Sequence, residues 1–192
     1  LRSEHQSMLI DAVWGKRNLF ELYESACMPM EFHKPLFDKA RERNLLPFTS
    51  IYDPRDLEFI EDLGCSIYKI ASFECTDLQL IRKVAETGKP LIISTGMANK
   101  DEISDAVETA QKYGSGDLIL LHCVSAYPAD PEEYNLKTIG HMSSTFNVNV
   151  GLSDHTISNV TSIASVALGA VIIEKHFTLD RNGGGPDDSF SL

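Results

Sequence analysis

A regular alternation of apolar runs and helix-like segments constrains the fold of this chain more than any other feature of its sequence. Six runs rich in Ile, Val, Leu, Phe and Tyr start roughly 20 to 30 residues apart, which is the length of one strand–helix unit. They cover residues 46–52, 66–73, 90–96, 117–125, 148–153 and 170–178. The alternation predicts an α/β fold with a parallel sheet, and the continuous apolar character of the runs predicts strands covered on both faces.

The segments between the runs carry helix start and stop signals. Asp53 precedes Pro54, which is the pattern of a helix cap followed by a proline in the first turn. Asn99 and Glu102 have the spacing of a capping box, and residues 158–168 predict a small-residue helix suited to close packing on a sheet. Glycine is expected just past a helix end. Such glycines precede four of the runs, at Gly64, Gly88, Gly114 and Gly169.

Among parallel α/β folds, a TIM (β/α)8 barrel agrees best with this pattern. No GxGxxG or Walker sequence is present, which argues against the Rossmann and P-loop folds. A complete barrel needs eight strands and about 250 residues, whereas we find six strands and expect residues 1–45 to be mostly helix and loop. The chain also lacks an initiator Met and ends in a loop-like stretch. We therefore expect residues 1–192 to form a single partial barrel domain without roughly the first two strand–helix units.

Composition and charge narrow the range of functions. The formal net charge of −11 argues against nucleic acid or an anionic membrane as the main partner, and an anionic substrate would need local cationic groups or a metal. No apolar run reaches the length of a membrane span, and the N-terminal residues lack the apolar segment of a secretory signal. The four cysteines form no CxxC pair, which favours a reducing, cytoplasmic location over a disulfide framework.

Polar residues gather at the C-terminal ends of all six predicted strands. The strands end in the sequences FTSIYD, YKIASFE, IISTG, LHCVSAYP, GLSDHT and IEKHFT. In a TIM barrel these ends meet at one face, where active sites are built. The sequence therefore predicts an active site at the carboxyl-terminal face of the sheet.

Two histidines follow neighbouring predicted strands. Because side chains alternate along a strand, Glu174 and His176 point to the same side. His155 and His176 could therefore bind a divalent metal, with a carboxylate as third ligand or as nearby support. The alternative is that both are hydrogen-bonded core histidines. We expect the other four histidines to be packed or solvated, and these are His5, His33, His122 and His141.

A lysine inside an apolar run is unusual, because burial of its charge is unfavourable. Lys69 could bind a phosphate, form a Schiff base if its pKa is lowered, or make a structural salt bridge with Glu74 or Glu174. Lys175 alternates away from His176, so we expect it to face outward in an ion pair.

Hydroxyl groups and a glycine-rich tail are also expected at the carboxyl-terminal face of the sheet. The hydroxyl-bearing residues at the strand ends are Ser72, Ser94, Thr95 and Ser125. With backbone N–H groups they could together hold a phosphate, although each taken alone fits a helix cap or turn better. The tail RNGGGPDDSF suits a mobile loop in which Asp187 or Asp188 reaches substrate hydroxyls, or else a frayed terminus.

Six ordered motifs resemble a known family. The segments KIASFE, ISTGM, LLHCVSAYP, GLSDHT, EKHFTLD and GGPDDSFS together resemble the sialic acid (nonulosonic acid) synthase family over residues 18–192. NLFELYE, IASFE and GGPDDSFS resemble the pseudaminic acid synthase branch in particular, with spore coat polysaccharide synthases as close neighbours. The resemblance implies a TIM barrel followed by a small antifreeze-like domain in a domain-swapped homodimer.

The same resemblance implies a reaction. It is the metal-dependent condensation of phosphoenolpyruvate (PEP) with an N-acetylated amino sugar, with C–O cleavage and release of phosphate, and the metal is Mn2+ or Mg2+. Three alternatives remain: N-acetylneuraminate synthesis from N-acetylmannosamine, a Schiff-base aldolase that uses Lys69, and a non-catalytic polysaccharide or coat-assembly paralogue. The sequence does not determine which sugar is the acceptor.

The resemblance also implies a role for individual residues. The metal ligands are His155 and His176, with Glu174 beside the metal. The PEP phosphate is bound by Lys69, Ser72 and Ser94, with Ser153 also at the substrate site. Ser125 stands where sialic acid synthases have an asparagine. The sugar contacts are Glu74, Tyr127 and Asp187, and the PEP side is lined by Ser50 and Tyr52. The family site also uses residues upstream of Leu1 and a partner arginine beyond Leu192, so we expect the 192-residue chain alone to be inactive.

Overall fold

A computed structural model describes residues 9–12 and 15–192. The elements in chain order are β1 (Leu9–Ala12), β2 (Gly15–Asn18), α1 (Leu19–Ala26), α2 (Met30–Glu42), β3 (Thr49–Ser50), α3 (Leu57–Asp62), β4 (Tyr68–Ile70), α4 (Leu78–Ala85), β5 (Leu91–Ser94), α5 (Lys100–Tyr113), β6 (Leu118–Cys123), α6 (Thr138–Phe146), β7 (Asn149–Asp154), α7 (Val160–Ala167) and β8 (Ile173–Lys175). Short 3-10 helices follow β3, β4 and β6 and lie near the end of the chain. No helix in this described part is long and apolar enough to cross a membrane.

Six strands form one sheet in the order β3-β4-β5-β6-β7-β8, and every neighbouring pair is parallel. Each strand lies within one of the six predicted runs except β7, which extends one residue beyond its run. All the strands except β7 are shorter than their runs, because residues at one or both ends of each run leave the ladder. The pairing of β3 with β4, for example, covers only Thr49 opposite Tyr68 and Ser50 opposite Lys69. The predicted α/β fold with a parallel sheet is confirmed.

Two side chains show how strongly the sheet curves. Lys69 lies on β4 and Glu174 on β8, yet Lys69 Nζ lies 2.6 Å from Glu174 Oε1. Neighbouring strands are about 4.8 Å apart, so in a flat sheet β4 and β8 would be about 19 Å apart. The sheet is therefore curled into a half-barrel, and these two side chains meet in its interior.

The outer face of the sheet packs against helices. β5 is buried along its whole length, as expected for a strand covered on both faces. The buried side chains of α4 and α5 recur at the spacing of one helix face, which lies against the sheet. They are Leu80, Ile81, Val84 and Ala85 on α4, and Ile103, Ala106, Val107 and Ala110 on α5.

The predicted helix boundaries are largely confirmed. Asn99 and Glu102 form a complete capping box at α5, and the Asp53 side chain accepts a hydrogen bond from Arg55 N at the start of a 3-10 helix. All four predicted glycines follow helix ends. Three of them have positive φ, whereas Gly114 has φ −107°, because the chain extends directly after α5.

The described residues before position 46 are mostly helix and loop, as expected, with one addition. The structure has helices α1 and α2 there, but it also has an antiparallel hairpin in which Leu9 pairs with Asn18. Four-residue strands are too short to reveal a period of two in the sequence, so the hairpin left no clear pattern. Residues 1–8 and 13–14 lie outside the described residues.

Gly151→Ala should destabilise the protein by about 1–3 kcal/mol, because a Cβ atom would overpack the core. The added atom would lie 2.3 Å from Ile172 Cγ2 and 2.5 Å from Ile172 O. Urea unfolding should show a lower midpoint with an unchanged slope. Gly140→Ala is the matched control, because it lies in α6 with open space at its Cβ position and should stabilise the helix by roughly 0.5–1 kcal/mol. Equal effects of the two changes would contradict the predicted packing.

Candidate active site

The predicted site residues come together at the carboxyl ends of the strands, as the parallel sheet requires. Lys69 and Glu174 lie on β4 and β8, and Ser153 lies near the end of β7. His155 and His176 directly follow β7 and β8. These five side chains come from three strands, and they converge because the strands run in the same direction around a curved sheet.

A chain of polar contacts links four of these residues, and we call it the strand-end network. Lys69 Nζ donates to Glu174 Oε1 at 2.6 Å, and the Ser153 hydroxyl donates to the same oxygen at 2.9 Å. Ser153 Oγ also lies 3.2 Å from His155 Nε2, and its single proton can be donated either to Glu174 or to this nitrogen. The Lys69 salt bridge left open by the sequence is therefore formed with Glu174 and not with Glu74. The strand-end network thus connects the Lys69 ammonium on β4 to the His155 imidazole, which follows β7.

The His155 ring is held in one orientation. Its Nδ1 atom lies 2.7 Å from the Val124 carbonyl oxygen, which can only accept, so Nδ1 carries the proton. In the neutral ring Nε2 then holds the free lone pair, on the side of Ser153. Burial lowers the pKa of His155, which favours the neutral form. This is the protonation state that a metal ligand needs.

His176 lies beside His155 in an aromatic cluster. The two imidazole centroids are 5.5 Å apart, and Tyr127 stacks on His155 with a centroid distance of 4.2 Å. Phe190 approaches His176 edge-on at 5.2 Å, and Asp187 Oδ2 lies 3.4 Å from His176 Nδ1. Burial raises the pKa of Tyr127 to about 12, so its hydroxyl keeps its proton at neutral pH.

The donor set fits a divalent metal in part. Two neighbouring imidazoles, one of them with Nε2 free, are suitable ligands for such an ion. Within residues 9–12 and 15–192, however, no group of three or more His, Cys, Asp or Glu residues is arranged to hold a metal. The remaining ligand positions would have to come from substrate oxygens, water or further protein residues.

Small side chains surround the backbone of Gly96 and form what we call the serine cradle. Gly96 N donates to Ser72 Oγ at 3.2 Å, and Ser72 Oγ lies 3.3 Å from Cys123 Sγ. A Cβ atom at Gly96 would lie 2.6 Å from Ser125 Oγ and 2.7 Å from Cys123 Sγ. Ser125 and Cys123 can therefore approach the backbone this closely only because residue 96 is glycine.

The hydroxyls of Ser94 and Thr95 have different surroundings. Ser94 Oγ is buried and has no hydrogen-bond partner among residues 9–12 and 15–192, so it is available to a bound group. Thr95 Oγ1 instead donates to the Leu121 carbonyl at 3.0 Å. This bond ties the Thr95 hydroxyl to the neighbouring strand, and its expected place among the hydroxyls of the site stays a prediction.

The remaining predicted substrate residues lie around the rim. Glu74 Oε2 is buried without a partner, and burial raises the pKa of this carboxyl. Ser50 is half-buried on β3, Tyr52 is 64% exposed just beyond it, and Ser125 is exposed. The roles expected for these four residues stay predictions.

Lys175 faces away from the site, as predicted. Its Nζ atom lies 3.1 Å from Asp154 Oδ2 and donates to the carbonyls of Thr156 and Ser158 at 2.6 Å and 3.0 Å. Burial acts to raise the pKa of Asp154, but hydrogen bonds from Ser162, Thr156 and Lys175 outweigh it and lower the pKa. Lys175 is thus a structural residue that ties β8 to the loop after β7.

The other histidines have the packing or solvent roles expected. His33 is buried against Phe59, His122 Nε2 lies 2.5 Å from the Tyr134 carbonyl, and His141 is exposed. His5 lies outside the described residues.

Sequence reasoning missed Tyr134, which is fully buried behind His155. Its hydroxyl accepts a hydrogen bond from His155 N at 2.7 Å and donates to Ser153 O at 3.2 Å. Tyr134 ends a 3-10 helix that begins with Pro131. The Asp-Pro signal before it marks a turn but gives no sign of a partner on β7.

A half-barrel of parallel strands with ionisable side chains at their carboxyl ends has the architecture of a TIM-barrel active site. Comparison with known proteins agrees with a TIM-barrel architecture and identifies the family. The chain belongs to the NeuB family, whose model matches residues 2–192.

Individual relatives cover the chain almost completely. It is 44% identical to the pseudaminic acid synthase of Helicobacter pylori over 193 residues, which is 100% of this chain and 57% of that protein. It is 41% identical to the N,N'-diacetyllegionaminic acid synthase of Campylobacter jejuni, over 86% of this chain and 50% of that protein. The crystal structure of the N-acetylneuraminic acid synthetase of Leptospira borgpetersenii superposes with a TM-score of 0.84 at 34% identity, over 90% of this chain and 60% of that chain. The chain thus spans little more than half the length of these relatives.

Tyr134→Phe should lower the free energy of unfolding by about 1–3 kcal/mol, because it leaves the buried His155 N–H without its partner. Urea unfolding measures this change. Tyr113→Phe is the control, since its ring faces Arg82 and Lys112. If both variants unfold at the same urea concentration, the Tyr134 hydroxyl contributes nothing to the position of His155.

Glu74→Gln should stabilise the protein at neutral pH but not in acid. The pKa of Glu74 is raised by burial, so the stability associated with its protonated form is lost as the pH rises from the unfolded pKa through the folded one. Below about pH 3 the carboxyl is protonated in both states, so the amide should change little. Thermal unfolding from acid to neutral pH measures the effect, with the exposed Glu58→Gln as control. Lower stability of Glu74→Gln at neutral pH would contradict the prediction.

Proposed function

We propose that the protein containing this chain condenses PEP with an N-acetylated amino sugar to give a nonulosonic acid, and that the product is pseudaminic acid. The observation that carries the proposal is the strand-end network, which joins a half-buried lysine to His155 at the mouth of a NeuB-family barrel, with His176 beside it. The choice of product rests on the 44% identity with the Helicobacter pylori synthase.

The lysine end of the network suits the phosphate of PEP. The Lys69 ammonium supplies positive charge in a chain whose net charge is −11. The serine cradle supplies the Ser72 hydroxyl, which the Gly96 backbone N–H holds in place, and Ser94 has a buried hydroxyl that finds no partner among the described residues. We propose that these groups hold the phosphate from binding until its release. A phosphate bound at this end would contact the Lys69 ammonium while Glu174 also contacts it.

The histidine end suits a divalent metal, which we propose is Mn2+ or Mg2+ held by His155 and His176. When bound, the metal would supply Lewis-acid polarisation of the sugar aldehyde. The Val124 carbonyl keeps Nε2 of His155 available for this role, and Asp187 and Phe190 limit the orientation of His176.

The reaction follows from the order of these groups. C3 of PEP attacks the aldehyde carbon, a C–C bond forms, and the aldehyde oxygen takes a proton. Positive charge develops at C2, where the Glu174 carboxylate can stabilise it. Water then adds to C2 and loses one proton, which balances the proton taken up by the aldehyde oxygen. The bond between C2 and the phosphate oxygen breaks, the remaining C2 hydroxyl proton passes to the departing phosphate, and C2 becomes the keto carbon. The side chains hold both substrates in alignment, which lowers the entropic part of the barrier.

The acceptor sugar would lie beyond the histidines. We propose that Asp187, Tyr127 and Glu74 contact it, with Ser50 and Tyr52 on the PEP side. Glu74 Oε2 is a buried atom without a partner, and such an atom is readily satisfied by a sugar hydroxyl or amide. We also propose a cytoplasmic homodimer. All four cysteines are free thiols, which suits a reducing compartment.

The full-length protein should release phosphate from PEP in the presence of Mn2+ and 2,4-diacetamido-2,4,6-trideoxy-altrose, but not with N-acetylmannosamine. EDTA should abolish the release, and added Mn2+ should restore it. His176→Asn should lower kcat/KM by more than about 100-fold. His141→Asn, an exposed change of the same kind on α6, should leave kcat/KM unchanged.

Each other outcome has a defined meaning. Release with N-acetylmannosamine alone would keep the chemistry and replace the proposed product. EDTA-resistant release would contradict the metal role of the two histidines. A pyruvate adduct trapped by borohydride on Lys69 would replace the condensation by a Schiff-base reaction. No release with either sugar would contradict the proposed function.

A further inference from the structure

The last residues of the chain form an ordered loop rather than a frayed end. We call residues 178–192 the tail loop. Its two ends are joined by backbone hydrogen bonds, from Leu192 N to His176 O at 2.9 Å and from Thr178 N to Leu192 O at 3.2 Å. Phe190 is only 2% exposed, because its ring is packed against Tyr127 and His176. The loop is thus attached directly to the candidate metal ligand.

Asp188 holds the middle of this loop together. Its Oδ1 accepts a hydrogen bond from Thr178 Oγ1 at 2.6 Å, and its Oδ2 accepts one from Gly185 N at 2.7 Å. Cβ atoms at Gly183 and Gly185 would lie 2.7 Å and 2.8 Å from Asp188 Oδ2. The glycine-rich sequence therefore lets the backbone wrap closely around one carboxylate.

The neighbouring aspartate has the opposite orientation. Asp187 is half-exposed, and its Oδ2 lies 3.4 Å from His176 Nδ1. Both oxygens of Asp188 are occupied within the loop, so only Asp187 of the pair has a carboxylate on the side of the site. The two adjacent aspartates thus have separate roles, one toward the site and one inside the loop.

We propose that Asp188 is a positioning residue that fixes the tail loop so that Asp187 and Phe190 stay against His176. This inference rests on the proposed function in one respect, namely that Asp187 contacts the acceptor sugar. Asp188 itself touches neither substrate. Its loss should free the loop, weaken sugar binding and leave the phosphate end of the site, on β4 and β5, unaffected.

The test uses the full-length protein and three variants of one interaction. Asp188→Ala removes both acceptors, Thr178→Val removes one donor, and Thr178→Ser keeps that donor. Asp180→Ala is the matched control, because Asp180 lies in the same loop and accepts only a local bond from Asn182 N at 2.9 Å. Hydrogen–deuterium exchange of residues 178–192 is measured first, followed by KM for the sugar and for PEP.

Asp188→Ala should speed exchange in the tail loop by roughly tenfold or more, as expected for the loss of hydrogen bonds to a charged group. Thr178→Val should show a smaller increase, and Thr178→Ser and Asp180→Ala should match the unchanged protein. KM for the sugar should rise by a similar factor in Asp188→Ala, while KM for PEP should stay within about twofold.

Unchanged exchange in Asp188→Ala would overturn the proposal, and so would an equal rise of both KM values. Faster exchange in Asp180→Ala to the same extent would also overturn it, since any loop change would then have this effect. If the unchanged full-length protein turns over neither sugar, the proposed function fails, and exchange alone then decides whether Asp188 fixes the loop.

Discussion

The contact between Lys69 and Glu174 is the interaction on which the arrangement of the site depends. It joins β4 to β8 across the interior of a curved sheet, at a distance that a flat sheet does not allow. Both side chains are largely shielded from water, so either one alone would leave an uncompensated charge. The same Glu174 oxygen also binds Ser153, which contacts His155. Barrel curvature and the placement of His155 are therefore parts of one network.

Much of the fold could be predicted because its signals are local. The apolar runs, the capping box at Asn99 and the glycines after helices each depend on a few neighbouring residues, and parallel pairing then brings the strand ends together. The placement of His155, His176 and Lys69 at one edge of the sheet follows from this topology, and the curvature of the sheet then brings them close together. The outward position of Lys175 followed from alternation along one strand.

Other features depend on contacts between distant parts of the chain, and no local pattern reveals them. Tyr134 supports His155 from another loop, and Thr95 is bound by a carbonyl of the neighbouring strand. Lys69 pairs with Glu174 rather than with Glu74 because the sheet is curved, and the sequence does not show this curvature. The different orientations of Asp187 and Asp188 depend on where Thr178 and Gly185 lie in three dimensions.

The tail loop and the strands divide the candidate site into two parts with different tolerance for change. Lys69, Glu174 and the two histidines are borne on or directly beside strands, where a shift of one residue would disturb the sheet. Asp187 is borne on a glycine-rich loop that is held by its own hydrogen bonds. In evolutionary terms, a loop of this kind can vary in sequence and shape while the barrel stays constant. Under the proposed chemistry, a family built this way could acquire new acceptor sugars by altering the tail loop and retain one mechanism for using PEP.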